Sequence, residues 1–165
     1  MTLTPSSPDA SESRPHVAIA ILHQLQPDGS LRFLMQLRDD IPGIAYPAHW
    51  GFFGGHVEPG EHPDDAVRRE LLEEINYMPE AIDPFKIYNG PRSIRHVYGA
   101  KLETTIDALT LGEGWDMKLV TIEEIKSGEC YSSVAQQVKP IGAPHQAILL
   151  EFLSTQTSTQ PPVSS

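Results

Sequence analysis

The chain has 165 residues, with 22 acidic against 12 basic side chains, a formal charge of −10, one cysteine and 15 prolines. That length suits one domain, and the negative balance excludes a basic footprint for tracking a nucleic-acid backbone or lying on an anionic membrane; any polyphosphate ligand would need a cation to mediate. The lone Cys130 excludes an intrachain disulfide and a thiolate zinc cluster, so the expected compartment is the cytoplasm.

Residues 1–15 carry Pro5, Pro8 and several Ser and Thr, with no basic residue before Arg14, which fits neither a signal nor a transit peptide and is expected to be a disordered tail. Residues 154–165 are Ser, Thr, Gln and Pro with almost nothing apolar, and a second disordered tail is expected there. The domain should span residues 16–153. No segment approaches the roughly 18 to 20 apolar residues of a membrane span, so a soluble chain is expected.

His16 to Leu25 is a nearly continuous apolar run, as in a central strand buried on both faces. The Pro27 to Ser30 turn leads into a second strand, Leu31 to Leu37, completing a hairpin. Asp39 to His49 holds Pro42, Gly43 and Pro47 and reads as a loop, and Trp50 to Phe53 as a short strand. A helix is expected from about Pro63 to Asn76, opened by Pro63, Asp64 and Asp65 and ended by Asn76 with Pro79 beyond. Further strands are expected within Phe85 to Tyr88, Ile94 to Thr105 and Met117 to Ile122. Thr121 and Glu124 have capping-box spacing, and a last helix should run from about Pro144 to Leu153. Hairpins mixed with few helices argue for an α/β (α+β) fold with a mixed sheet between helices.

On the expected helix Glu70, Glu73 and Glu74 share one edge beside the apolar Val67, Leu71 and Ile75. Like charges four residues apart weaken a helix unless a cation sits between them, and hard divalent cations seek such oxygens. The segment Gly55 to Tyr77 (GHVEPGEHPDDAVRRELLEEINY) closely resembles the Nudix box, the signature of the Nudix hydrolases. All spacings match through Glu74; Asn76 stands where the family has Gly, and Tyr77 where it has an aliphatic residue. Asn is the next-best residue for a left-handed helix end, so the first departure should bend rather than break the motif.

The resemblance implies an α/β/α sandwich and hydrolysis of a diphosphate linkage in a nucleoside diphosphate derivative, dependent on Mg²⁺ or Mn²⁺. It makes Glu70, Glu73 and Glu74 the metal ligands, with a carbonyl of Gly54 or Gly55 as a further candidate. Arg69 would orient neighbouring glutamates, and Glu61 would anchor the loop against the helix. Glu73 or Glu70 could be the general base. Family members commonly add an acid from a later loop, for which Glu113 is the candidate. Substrate choice must come from outside the box: Tyr46 and Trp50 could stack on a nucleobase, and Arg38, Arg92, Arg95 and Lys101 could meet phosphates, while Phe52 and Phe53 read as packing. His56 and His62 have no zinc-ligand spacing.

The tags of NADH diphosphatases and coenzyme A hydrolases are absent. Pro91 lies near, but not at, the position of ADP-ribose hydrolases, and Arg38 to Trp50 is faintly similar to nucleotide-sugar and nucleoside triphosphate members. The partner expected is a small-molecule nucleoside diphosphate derivative, with neither nucleic acid nor membrane, and a homodimer is the one self-association kept open. The alternatives are a Nudix-fold module that senses a nucleotide without cleaving it, and an isomerase of prenyl diphosphates, which would want a catalytic cysteine in a pocket strand, whereas Cys130 reads as lying in a late loop.

Overall fold

A computed structural model describes residues 14–158. Of the tails expected at residues 1–15 and 154–165, residues 1–13 and 159–165 lie outside the described residues. The elements are β1 (His16–Leu25), β2 (Leu31–Leu37), β3 (Trp50–Gly51), β4 (Phe53–His56), α1 (Pro63–Ile75), β5 (Asp83–Asn89), β6 (Ile94–Lys101), β7 (Asp116–Thr121), α2 (Ile122–Ser127), β8 (Glu129–Ser132), β9 (Gln137–Pro140) and α3 (Ala143–Ser158).

β1 is central, as its unbroken apolar run requires. It pairs antiparallel with β2 and β4 and parallel with β6, from His16 opposite Ile94 to His23 opposite Lys101. β2 carries β3 and β7, both antiparallel, and β5 closes the far edge on β6. Alternate residues of β1 face opposite layers. Ala18, Ala20 and Leu22 pack with Ala66, Val67, Leu71 and Ile75 of α1. Ile19 and Ile21 pack with Ile125 of α2 and Ile148, Leu149 and Phe152 of α3. The mixed sheet therefore lies between α1 and the α2/α3 pair, which is the expected sandwich. Among the described residues no helix is long and apolar enough to cross a membrane.

The main differences from expectation are these. The strand expected at Trp50 to Phe53 is split at Phe52, because the chain passes there from pairing with β2 to pairing with β1. β6 ends at Lys101, opposite His23, while β1 runs on to Leu25; Gln24 Nε2 then donates to the carbonyls of Leu102 and Thr104, and Ile106–Ala108 forms a 3-10 turn. The β8–β9 hairpin was not expected: its strands are four residues each and leave Tyr131 and Val138 exposed, so they carry no apolar run. α3 continues five residues past Leu153 into the segment expected as a tail. There the Ser154 and Thr155 hydroxyls donate to the carbonyls of Glu151 and Phe152.

Candidate functional site

The site is built on α1 and on the glycine pair ending the β3–β4 passage. Pro63 opens the helix, and the His62 side chain accepts from the Asp64 N–H at 3.2 Å as N-cap. At the other end Asn76 adopts the left-handed conformation (φ 53°, ψ 44°), and its N–H closes on Leu72 O at 3.1 Å. Asn thus does what the motif asks of Gly. Tyr77 donates its hydroxyl to Lys101 O at 3.1 Å and accepts from the Glu103 N–H at 3.0 Å while its ring packs against the α1-side core.

Arg69 is the hub. Its guanidinium forks onto Glu61, Nε at 2.9 Å and Nη2 at 3.0 Å, and Nη2 also reaches His56 O at 3.1 Å. Nη1 holds Glu70 at 3.0 Å and both Glu73 oxygens at 3.4 Å. A planar fork on a carboxylate fixes direction as well as charge. The Arg69 bonds, with the Glu58 N–H, hold the Glu61 carboxyl down at about 2. Loop and helix are therefore locked together through one side chain.

Glu70 turns onto Gly55 so closely that a Cβ there would lie 2.6 Å from its carboxyl carbon. Glu74 is largely buried, accepting at 3.4 Å from the Gly54 N–H and from Gln36 Nε2. Burial first, then a hydrogen bond and charge from Glu70, push Glu74 up to about 8, with Glu113 adding to the effect. Glu113 arrives because its loop is pinned to the end of α1: the N–H groups of Thr110 and Gly112 donate to Ile75 O and Glu74 O at 3.2 and 2.8 Å.

These groups open onto a cleft of about 770 Å³. Glu70, Glu74, Glu113, Arg69, Gly54 and Gly55 line it, as do Arg38, Arg95 and Tyr46. Among the described residues no three His, Cys, Asp or Glu side chains form a metal-holding group, since Arg69 draws Glu70 and Glu73 toward itself while Glu74 reaches Gly54 and Gln36. The donor set still suits a hard divalent cation. Two carboxylates meet in a partly buried place where one of them keeps its proton, and a cation displacing that proton would relieve the repulsion with the oxygen donors it prefers.

A family model described as NUDIX domain matches residues 14–138. The chain belongs to the Nudix family. The nucleoside triphosphatase NudI of Escherichia fergusonii is 36% identical over 81 residues, 48% of this chain and 55% of that protein. NudI of Escherichia coli O17:K52:H18 is 34% identical over 88 residues, 52% and 60% of the two chains. The matched segment thus spans little more than half the length of these curated relatives. Among solved structures, a MutT from work on Aliivibrio salmonicida and Vibrio cholerae superposes with a TM-score of 0.65 at 19% identity, covering 87% of this chain and 99% of that one. The Nudix domain of Shewanella oneidensis NrtR, complexed with ADP ribose, gives 0.68 at 18% identity, covering 92% and 94%. At such identities the likeness shows the shared Nudix fold.

Within the Nudix box the structure separates residues that the pattern groups. Glu73 is 59% exposed at its side chain and does not line the cleft, whereas Glu70 and Glu74 do. Trp50, read as a stacking candidate, is fully buried, and its indole N–H donates to Cys130 O at 3.0 Å; it is core, because β3 pairs inward onto β2. Phe52 and Phe53 pack as expected. Arg92 and Lys101 do not line the cleft. Cys130 lies on β8 rather than in a loop, buried, with its thiol pushed up to about 12 chiefly by desolvation, so the isomerase reading has no cysteine in the cleft.

Gln36 and His145 are lining residues that escaped the sequence reading. Gln36 sits inside an apolar strand with no pattern to mark it, and it donates to Phe52 O at 3.1 Å as well as to Glu74. His145 follows Pro144 at the start of α3, and only tertiary packing brings it to β3 and β4.

Proposed function

We propose that the chain is a divalent-metal-dependent Nudix hydrolase that cleaves a diphosphate linkage in a nucleoside diphosphate derivative: a nucleoside triphosphate, a nucleotide sugar or an ADP-ribose-type compound. The observation that carries this reading is a single cleft in which carboxylates gather around Glu74 while the guanidinium groups of Arg38 and Arg95 bear on His145. An acidic net charge alone would repel a polyphosphate; acidic and cationic groups in one cleft suit a metal-bridged one. The names of the relatives agree in class, since NudI is a nucleoside triphosphatase and the NrtR domain was captured with ADP ribose.

Glu70 and Glu74, with Glu73 at the rim and a carbonyl of Gly54 or Gly55, would hold Mg²⁺ or Mn²⁺. The bound ion supplies neutralisation of phosphate oxygens and a lowered pKa for water. Arg69 keeps Glu70 aimed. Glu70, on the cleft wall, is the better placed of the two proposed bases for removing a proton from an attacking water, and Glu113 supplies a further acid on the same wall. Arg38 and Arg95 would bind phosphates, and the protein would act in the cytoplasm on a small-molecule substrate.

The test is incubation with a panel of nucleoside triphosphates, nucleotide sugars and ADP-ribose, with Mg²⁺, Mn²⁺ or chelator, followed by separation of products to locate the cut. Metal-dependent cleavage supports the reading. Binding with no cleavage of any compound would establish the nucleotide-sensing module instead.

A further inference from the structure

His145 is placed with more care than a packing residue needs. Its ring fits a slot between two glycines: a Cβ on Gly51 would meet it at 3.4 Å, and one on Gly142 would come within 2.9 Å of Cδ2. Nδ1 accepts from the Phe52 backbone N–H at 3.3 Å. That nitrogen is therefore unprotonated, which puts the ring proton on Nε2 as a donor; among the described residues no protein acceptor takes it, and the atom is open to the cleft rather than buried. Burial first, then the charges of Arg95 and Arg38, push the imidazole down to about 3, so it stays neutral.

The surroundings of the ring are flat and apolar. Phe52 lies 4.9 Å away, centroid to centroid, and Tyr46 stands edge-on at 6.3 Å. Tyr46 is held there by a loop with left-handed backbone at Tyr46 (φ 51°) and Ala48 (φ 57°), tied by Arg38 Nε to Ala45 O at 2.7 Å. Strained backbone of this kind persists only where its surroundings fix it, and it gathers at ligand sites. Two guanidinium groups already answer a phosphate's charge. A neutral donor with a fixed tautomer, beside aromatic walls, instead matches the edge of a heteroaromatic ring.

We propose that His145 binds the nucleobase of the substrate, its Nε2–H donating to an acceptor on the base edge while the exposed Tyr46 flanks the ring. This rests on the nucleotide reading above and assigns which part of the substrate meets α3.

The probes are analogues of the four common nucleoside triphosphates with imido groups in place of both bridging oxygens and, as a base-free control, inorganic tripolyphosphate, all titrated calorimetrically with Mg²⁺ into the full chain. His145→Phe keeps the ring and removes the donor, and His145→Gln keeps an N–H donor. Thermal unfolding checks that both variants fold. The expected result for His145→Phe is about tenfold weaker binding of at least one nucleoside analogue, with tripolyphosphate unchanged, and recovery of most of that loss in His145→Gln. An equal loss for tripolyphosphate, no loss for any nucleoside analogue, or a folded His145→Gln that binds as weakly as His145→Phe overturns the assignment; where His145→Phe does not fold, a folded His145→Gln with a loss of about tenfold for every nucleoside analogue overturns it alone, and one that binds like the wild type supports it. The wild-type hydrolysis panel reports separately: no turnover with a base-dependent loss removes the hydrolase reading and keeps the base pocket, whereas turnover without that loss does the reverse. A wild type that binds no nucleoside analogue removes the base pocket and leaves the hydrolase reading to the panel.

Discussion

The two glycines of the cleft floor have different tasks, and alanine separates them. At Gly55 a Cβ would lie 2.6 Å from the Glu70 carboxyl carbon, whereas ordinary contact begins near 3.4 Å, so the carboxylate must retreat by about 0.8 Å. The obstacle is the far end of a flexible side chain, so Gly55→Ala should cost less than about 1 kcal/mol, a shift of roughly 2–4 °C in Tm. A displacement of that size in a catalytic or ligating group costs up to about a hundredfold in rate. Gly54 is the opposite case. Its φ is +142°, and a Cβ would come within 2.1 Å of Ala18 O, a backbone atom of the adjoining strand. Gly54→Ala must part β4 from β1, which should cost about 3 kcal/mol or more, a fall of roughly 10 °C. Thermal unfolding and Mg²⁺-dependent turnover of the best substrate, measured on both variants, check the pair. Full turnover in Gly55→Ala would show that the Glu70 position does not matter to the chemistry, and equal loss of stability in both would refute the distinction between a yielding carboxylate and an unyielding backbone.

Other expectations follow from the same geometry. Glu70→Gln and Glu74→Gln should each lower Mg²⁺-dependent turnover by about a hundredfold or more, and Glu73→Gln, exposed outside the cleft, by about tenfold or less; steady-state kinetics decide the order. In chelator, the folded chain keeps the Glu74 proton up to about pH 8 while the unfolded carboxyl releases it near 4.5. Between those values the unfolded state binds fewer protons, so stability should fall as pH rises and level off above 8; Glu74→Gln should flatten that slope in urea titrations. Arg69→Lys should keep the charge but lose the fork on Glu61, weakening Mg²⁺ binding by about tenfold with calorimetry as the readout. Asn76→Gly should leave Tm unchanged or raise it by a few degrees and Asn76→Ala should lower it, because only the left-handed cap distinguishes them.

The box was legible because each of its residues answers a local demand. Pro63 and Asn76 mark the ends of α1, the apolar residues mark its buried face, and Arg69 reaches Glu61, Glu70 and Glu73 within one loop and two helical turns. The central strand was legible for a similar reason, since burial on both faces leaves an uninterrupted apolar run. Trp50 and His145 were not, because their roles depend on which element lies opposite. An aromatic beside glycine in a short strand has the same local signature whether it faces solvent or core; β2 and β8 decide the matter. His145 lies 93 residues from the Phe52 N–H it accepts, and nothing near it in sequence reports that meeting.

Glu113 shows how the motif extends its control beyond its own span. The last carbonyls of a helix lack internal partners, and α1 ends abruptly at Asn76, leaving those of Glu74 and Ile75 to be met from elsewhere. Gly112 and Thr110 meet them, and Gly112 can do so because a Cβ there would press within 3.1 Å of Glu73 O. The following residue is thereby delivered to the cleft wall, and Trp115 N–H then donates to Leu37 O at 2.8 Å as the chain joins β7 to β2. A left-handed cap that began as a departure from the family's glycine therefore also sets where the later loop docks. The acidic wall then gains the carboxylate of Glu113, the candidate from the later loop.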